Sequence, residues 1–185
     1  RETRALAGFS RLLPATADGH EGDIQRLSKN NSINWLPVLI VRGEGIFLEF
    51  NIDAINTWID NSAVTERIKY LTDLYNQTRN QRAIVPVDID PKFILIHSFA
   101  HLLIRQLSYD CGYGSASLRE RIYCNTGSDS SPMQGVLIYT AAGDSEGTMG
   151  GLVRNGEPGN FESSIYRAIT GAAWCSSDPV CIESP

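Results

Sequence analysis

The sequence predicts an α+β fold, in which a small mixed sheet packs with several helices and one helix is central and buried. Runs of β-branched and apolar residues of strand length lie next to glycine, as at residues 46–50 and 135–140. From Asn51 onward the apolar residues recur instead at intervals of three and four, which is the period of an amphipathic helix. The segment from Lys92 to about Asp110 is apolar nearly all round, so we expect it to run through the core.

Size and composition indicate an ordinary globular protein. A chain of 185 residues with 42% hydrophobic and 20% charged residues fits one domain, or one domain plus an appendage. We expect residues 1–82 to form a lead-in segment with a hairpin and a long helical region. Residues 83–185 are expected to form a second part, and both parts are expected to make one structural unit.

The first predicted elements are a surface loop and a β-hairpin. Residues 18–34 are polar and are predicted to form a long loop. Residues 35–41 and 46–50 are β-rich runs on either side of Gly43-Glu44-Gly45. Because a short glycine-containing turn between two such runs is typical of a hairpin, we expect the two runs to pair with each other.

A helical region follows the hairpin. Its period continues for about thirty residues from Asn51, either as one helix or as two with a break near Asn61-Ser62. Asn51 or Asp53 can cap its start. Residues 83–90 are predicted to be a linker, after which Asp90-Pro91 opens the central helix, because proline is favoured in a first helical turn.

Glycine marks the end of the central helix at residues 112–114. Ser115 is then predicted to cap a short helix that extends through Arg119. Arg121–Cys124 is predicted to be a strand.

A second strand and a helix complete the predicted fold. Gly135–Thr140 is the clearest buried strand in the sequence. An amphipathic helix is predicted to begin at Asn160 and to end at Trp174. The residues expected to share its buried face are Phe161, Ile165, Ala168, Ile169 and Ala172.

Several functional classes are disfavoured by composition. The longest apolar stretches are far shorter than a membrane span, and the N-terminus lacks a signal-peptide hydrophobic region. The net charge is −5, and residues 1–82 carry equal numbers of basic and acidic side chains. The acidic excess therefore lies in residues 83–185, which disfavours a free-standing non-specific DNA binder. Four cysteines are too few for a disulfide scaffold and favour a reduced, cytoplasmic setting.

The two ends of the sequence suggest that it belongs to something longer. The chain begins at Arg1 instead of a methionine, and it ends soon after a pair of cysteines. We therefore expect it to be the C-terminal fragment of a longer protein.

The cysteine pair is one candidate metal site. Cys175 and Cys181 lie on either side of a proline-containing turn, and such a turn can direct two thiolates at one zinc ion. Their spacing is wider than the usual two to four residues, so the alternative is a structural loop with unrelated thiols. Cys111 and Cys124 could supply further ligands, but each lies in apolar or strand-like sequence, which favours a role as a small core residue.

Two histidines form a second candidate site. His97 and His101 are four residues apart on one helical face, a spacing that can present two imidazoles to one metal. The glutamate of the metalloprotease motif is absent between them, which favours hydrogen-bonded core histidines instead. We expect Asp144 and Glu146, which follow the buried strand, to join them in a polar network.

The segment from Gly143 to Gly151 is rich in glycine and lies between a strand and a helix. Such a junction can hold an anion on backbone amides, but no lysine follows in the Walker pattern, so nucleotide binding here is disfavoured. Ser145 beside His97 or His101 would suggest a serine hydrolase, although the glycine-serine-glycine elbow pattern is missing. The simpler hypothesis is a tight, closely packed turn.

Six segments of the sequence carry a resemblance to a known family. They are Arg4–Phe9 (RALAGF), Gly43–Phe50 (GEGIFLEF), His97–Leu103 (HSFAHLL), Ala116–Tyr123 (ASLRERIY), Gly143–Leu152 (GDSEGTMGGL) and Trp174–Pro179 (WCSSDP). Together they resemble the C-terminal part of the DrmB family of the DISARM anti-phage defence system. This region is similar to the DUF1998 family, the zinc-binding domain of MrfA-like helicases. The resemblance extends over most of the chain and would place the DUF1998-like domain in residues 83–185.

The resemblance implies a zinc site and a helicase partner. Members of the family carry four cysteine ligands near the C-terminal end, and Cys175 and Cys181 match the first part of that set. The remaining ligands are expected downstream, so the zinc site is expected to be incomplete in this chain. The implied partner is a superfamily 2 helicase subunit of the DrmA type, with DNA contacted through the complex and no membrane involved. The resemblance implies no catalytic residue.

Two functional hypotheses follow. The first is a non-catalytic accessory domain that supports the helicase of an anti-phage complex. The second is a metal-dependent or serine hydrolase, in which His97, His101, Asp144 and Glu146 line a pocket.

Overall fold

A computed structural model of the chain describes residues 2–6, 8–10, 24–26, 35–114, 117–125, 132–140 and 150–173. The fold is α+β, as the sequence predicts. The strands are β1 (Glu2–Ala5), β2 (Gly8–Ser10), β3 (Ile24–Arg26), β4 (Val38–Val41), β5 (Gly45–Glu49), β6 (Leu118–Cys124) and β7 (Gln134–Thr140). The helices are α1 (Ile52–Ile59), α2 (Ser62–Gln81), α3 (Pro91–Cys111), α4 (Gly151–Asn155) and α5 (Phe161–Gly171). Within these ranges no helix is long and apolar enough to cross a membrane.

The core lies between a three-stranded antiparallel sheet and helix α3. The strand order is β5-β7-β6, so the most apolar strand, β7, is central. Val136 and Ile138 of β7 are completely buried, and they belong to one cluster with the buried face of α3. That face consists of Ile96, Ala100, Leu103, Ile104 and Leu107.

The predicted hairpin between residues 35–41 and 46–50 is wrong. Both runs are strands, but β4 pairs with β1 and β5 pairs with β7. Glycine permits the close approach at the start of β5, since a Cβ on Gly43 would lie 2.3 Å from the hydroxyl oxygen of Thr140. Pairing with β7 buries Ile46 in the main core. The apolar surface that this long-range pairing removes from water outweighs the local preference for a hairpin.

The helical region after β5 consists of two helices with a break at residues 60–61, one of the two predicted arrangements. Asn51 caps α1 by accepting a hydrogen bond from the Ala54 amide at 3.0 Å. Asn61 caps α2 in the same way, with its side-chain oxygen 2.9 Å from the Ala63 amide. Asn61 therefore starts α2 directly after Asp60, which ends α1.

Helix α3 has the predicted caps at both ends. The Asp90 carboxylate accepts a hydrogen bond from the Lys92 amide at 2.9 Å, and Pro91 occupies the first turn. Gly112 has a φ of 72°, the left-handed conformation that favours glycine and ends a helix. These signals are local, which is why the sequence predicted the helix well.

Two predictions in the second half need correction. A short helix through Arg119 is wrong, because β6 begins at Leu118 and pairs with β7 along its whole length. The buried face of α5 is formed by Phe161, Ser164 and Ala168, whereas Ile169 and Ala172 are exposed. On that face the Ser164 hydroxyl donates a hydrogen bond to the Asp110 carboxylate at 2.6 Å. Trp174 lies outside the described residues.

Candidate metal centre

The two histidines predicted as a pair do lie together on the surface of α3. His97 and His101 are one helical turn apart, at the border of the buried face, and their Nε2 atoms are 2.9 Å apart. The ring of Phe93 lies against the ring of His97, with 5.2 Å between centroids. The prediction that they are core histidines is wrong, because the His97 side chain is 38% exposed and that of His101 is 61% exposed.

A carboxylate from the sheet completes the cluster. Glu120 is on β6, two residues from Leu118 and from Ile122, so all three side chains share the face of the sheet toward α3. Its Oε1 atom is 3.9 Å from Nε2 of His97 and 3.7 Å from Nε2 of His101. Within the described part of the chain, this is the group of histidine, cysteine and acidic side chains whose ligand atoms converge.

The sequence missed Glu120 as a site residue. Asp144 and Glu146, the partners predicted for the histidines, lie outside the described residues, so that network stays a prediction. The sequence nevertheless contained an indication of Glu120: it lies between Leu118 and Ile122 at every second position of a strand, so that its side chain is on the apolar face. A carboxylate in that position needs a polar or cationic partner.

The described cysteines do not form a metal site. Cys111 lies against the core and its thiol is 3.6 Å from the Gly151 carbonyl oxygen, while the Cys124 thiol is 3.6 Å from the Asp90 carboxylate. Burial, followed by the neighbouring Asp90, raises the pKa of Cys124 to about 11. Burial, followed by Asp110, also raises the pKa of Cys111. Neither thiol belongs to a group of converging ligand atoms within the described residues. Each cysteine is half-buried, less than predicted for a core residue.

A zinc ion would fit the histidine cluster by its chemistry. Two imidazole nitrogens and one carboxylate oxygen form a ligand set that zinc accepts, with one position left for water. The predicted cysteine ligands, Cys175 and Cys181, lie outside the described residues.

A second polar cluster joins the beginning of β5 to residues 150–153. The Glu44 carboxylate accepts hydrogen bonds from the Gly150 amide at 3.0 Å, from the Val153 amide at 3.1 Å and from the hydroxyl of Tyr113. Burial alone would raise the pKa of Glu44, but these hydrogen bonds together lower it below its ordinary value of 4.5. Burial and the bond to Glu44 raise the pKa of Tyr113 to about 12. Residues 143–149 lie outside the described residues, so the tight-turn hypothesis for that segment stays a prediction.

The Glu44 cluster makes stability depend on pH in the acid range. Because the folded-state pKa of Glu44 is below 4.5, its stabilisation is present at neutral pH and is lost as the pH falls from 4.5 through that lower pKa. We expect the urea midpoint of the wild type to fall more steeply over this range than that of Glu44→Gln. Glu49→Gln, at the exposed end of β5, is the control and should retain the wild-type slope. Equal slopes for all three proteins would contradict the role given to Glu44.

Comparison with known proteins shows what the second half of the chain is similar to. Residues 99–183 match the model of the MrfA Zn-binding domain, so this part of the chain is similar to that family of zinc-binding domains. The match includes α3 from Phe99 onward, β6, β7, α4 and α5, together with the cysteine pair.

The whole chain is similar to one particular protein. It is 38% identical over 191 residues to DISARM protein DrmB of Bacillus paralicheniformis. The aligned region covers 98% of this chain and 32% of that protein. The chain thus spans about a third of the length of the curated relative it matches.

Proposed function

We propose that the protein is an accessory subunit of a DISARM-type anti-phage complex, which supports a superfamily 2 helicase on invading DNA in the bacterial cytoplasm. The observation that carries this proposal is the 38% identity to DrmB over 98% of the chain. The match of residues 99–183 to the MrfA Zn-binding domain supports it independently.

The charge and motif content agree with a supporting role. The sequence has no Walker A motif, so the energy for movement along DNA comes from a partner. A net charge of −5 suits association with a basic protein surface better than a direct grip on the phosphate backbone. We therefore assign DNA contact mainly to the complex and no catalytic residue to this chain.

The described fold supplies a rigid body for such a role. Helix α3 packs against strands β6 and β7 of the sheet and against α5. The Glu44 cluster fixes α4 to the beginning of β5. A partner that binds this unit meets a surface of fixed shape, which lowers the entropic cost of association.

Chromatography of the full-length protein with the DrmA-like helicase of the same organism tests the proposal. We expect the two to elute together at micromolar concentration, whereas a superfamily 2 helicase from outside the defence system, used as the control, elutes separately. Separate elution of both helicases would contradict the proposal.

We also propose that Cys175 and Cys181 bind zinc as part of a four-cysteine site. The family match includes both residues, and Cys111 and Cys124 do not belong to a group of converging ligand atoms within the described residues. The bound zinc would supply a structural cross-link in this part of the protein.

Elemental analysis of the full-length protein checks the cysteine site. Cys175→Ser is expected to lose one zinc ion per chain, because three remaining cysteines bind zinc much more weakly than four. Cys124→Ser is the matched control and should retain the wild-type zinc content. Unchanged zinc in Cys175→Ser would remove that residue from the site.

A metal-dependent hydrolase is the second candidate function, and the His97–His101–Glu120 cluster is the observation that favours it. Metalloproteases use two histidines and a glutamate as zinc ligands, with a further glutamate directly after the first histidine as the general base. Here that position is Ser98, which cannot act as a carboxylate base. Zinc-dependent hydrolysis of a generic peptide or ester substrate, abolished by His101→Ala, would favour this function over the accessory role.

A further inference from the structure

We infer that His97, His101 and Glu120 bind one divalent first-row transition metal ion, separate from the proposed cysteine site. The ion would join helix α3 to the edge strand β6. The inference rests on the placement of the three side chains, on the distances between their ligand atoms and on the surroundings of Glu120.

The backbone brings the three ligands to one point. Residues four apart on a helix lie above one another on the same face, so α3 presents both imidazoles in the same direction. Strand β6 is at the edge of the sheet and packs against α3, and Glu120 points toward the helix between Leu118 and Ile122. Two rigid elements therefore hold the ligands, which is the usual basis of a precise metal site.

The separations suit a shared ion better than direct contacts. Ligand atoms at about 2.0–2.2 Å from a tetrahedral zinc ion are about 3.3 Å apart. The observed separations are 2.9, 3.7 and 3.9 Å, so shifts of a few tenths of an ångström would bring all three into one coordination sphere. Within the described residues the Glu120 carboxylate makes no hydrogen bond, and both imidazoles lie too far from it to donate one.

The chemistry of the ligands selects the class of metal. Imidazole nitrogens favour zinc, cobalt, nickel, copper and iron over magnesium and calcium, which prefer oxygen ligands. One proton lies between the two Nε2 atoms when the histidines are hydrogen-bonded to each other. On metal binding the donor imidazole changes tautomer, so that its Nδ1 atom carries this proton instead, and both Nε2 atoms donate their lone pairs to the ion.

The cluster is open to solvent, so an ion can reach it. The His101 side chain is 61% exposed and the Glu120 side chain is 26% exposed, which leaves the fourth coordination position to water. Because Ser98 replaces the general base of hydrolytic zinc sites, we assign the ion a structural role as a link between α3 and β6.

Cobalt binding to the full-length protein tests the inference. The test uses a background in which Cys175 and Cys181 are both changed to serine, so that the cysteine site cannot contribute. We expect about one Co²⁺ per chain, with visible d–d bands of a tetrahedral nitrogen and oxygen site and no thiolate charge-transfer band. Magnesium in excess should not displace the cobalt.

Ligand variants identify the site. His97→Ala and His101→Ala should each lower the affinity for Co²⁺ by more than about 100-fold, because loss of a residue that only supports a ligand already costs about 10- to 100-fold. Glu120→Gln should lower the affinity for Co²⁺ by at least about 10-fold. Arg105→Ala, at an exposed position one turn beyond His101, and Glu66→Gln, an exposed glutamate on α2, are the matched controls and should bind as their parent does.

Two outcomes would overturn the inference: no cobalt bound in the serine background, or cobalt binding unchanged by His101→Ala. If the serine variant does not fold, the same comparison is made in the wild-type protein. In that case His101→Ala should lose one metal ion per chain and retain the thiolate charge-transfer band. If His101→Ala loses the thiolate band and keeps the other bands, the inference is overturned. Loss of the cysteine site alone does not change the cobalt bound by His97, His101 and Glu120. A failure of the cysteine-site proposal can therefore be distinguished from a failure of this inference.

Discussion

Truncation of Leu103 to alanine is expected to lower the free energy of unfolding by about 2–5 kcal/mol. Leu103 is completely buried in the middle of α3, in the same cluster as Val136 and Ile138 of β7. The loss combines the transfer free energy of the removed methyl groups with the cost of the cavity that they leave, since a helix packed on a sheet relaxes only in part. Urea unfolding followed by circular dichroism measures the change.

Leu74→Ala is the matched control for this change. Leu74 is on α2, where it is 47% exposed, so the same truncation removes little buried surface. We expect its effect to be within about 0.5 kcal/mol. Equal effects of the two substitutions would contradict the position of α3 at the centre of the core.

Replacement of Asp110 by alanine is expected to cost about 2–3 kcal/mol of stability. The Asp110 carboxylate, whose side chain is 8% exposed, is 2.6 Å from the Ser164 hydroxyl and 3.0 Å from Nη2 of Arg167. It also accepts a hydrogen bond from the side-chain amide (Nε2) of Gln106 at 2.9 Å. The substitution removes a charged acceptor that joins α3 to α5 and leaves the buried Ser164 hydroxyl without that partner.

A double-mutant cycle separates the two contacts of Asp110. We expect a coupling of about 1–2 kcal/mol between Asp110 and Ser164, because that hydrogen bond is buried and involves a charge. The Arg167 side chain is 53% exposed, so its coupling to Asp110 should be below about 1 kcal/mol. A larger coupling energy of Asp110 with Arg167 than with Ser164 would show that the ion pair, and not the buried hydrogen bond, holds α5.

Local signals in the sequence predicted the helices of this protein well. Asp90, Pro91 and Gly112 mark the ends of α3, and Asn61 marks the break between α1 and α2, because caps and glycine conformation depend on a few neighbouring residues. The strand segments at residues 46–50 and 135–140 were also correct to within a residue or two.

The pairing of strands could not be predicted from local signals. The turn at Gly43 to Gly45 favoured a hairpin, but β5 pairs with β7, which is almost ninety residues away in the sequence. Strand pairing is decided by the apolar surface that the whole sheet buries, and a local turn pattern does not contain that information.

The same limit explains what was missed at the candidate metal centre. The spacing of His97 and His101 is local and predicted one half of the cluster. Glu120 comes from a strand whose position beside α3 follows only from the tertiary fold. The polar partners expected from residues 141–149, Asp144 and Glu146, and the zinc ligands Cys175 and Cys181 stay predictions.

We propose that this protein supports a helicase without catalysis of its own. Assays of ATP hydrolysis, DNA cleavage and DNA binding test this proposal, with the full-length protein alone, the DrmA-like helicase alone and the two together. We expect no turnover and no cleavage by the protein alone, and DNA binding by the complex at least about 10-fold tighter than by the helicase alone, equivalent to about 1.4 kcal/mol. Hydrolysis of ATP or cleavage of DNA by the isolated protein would contradict it.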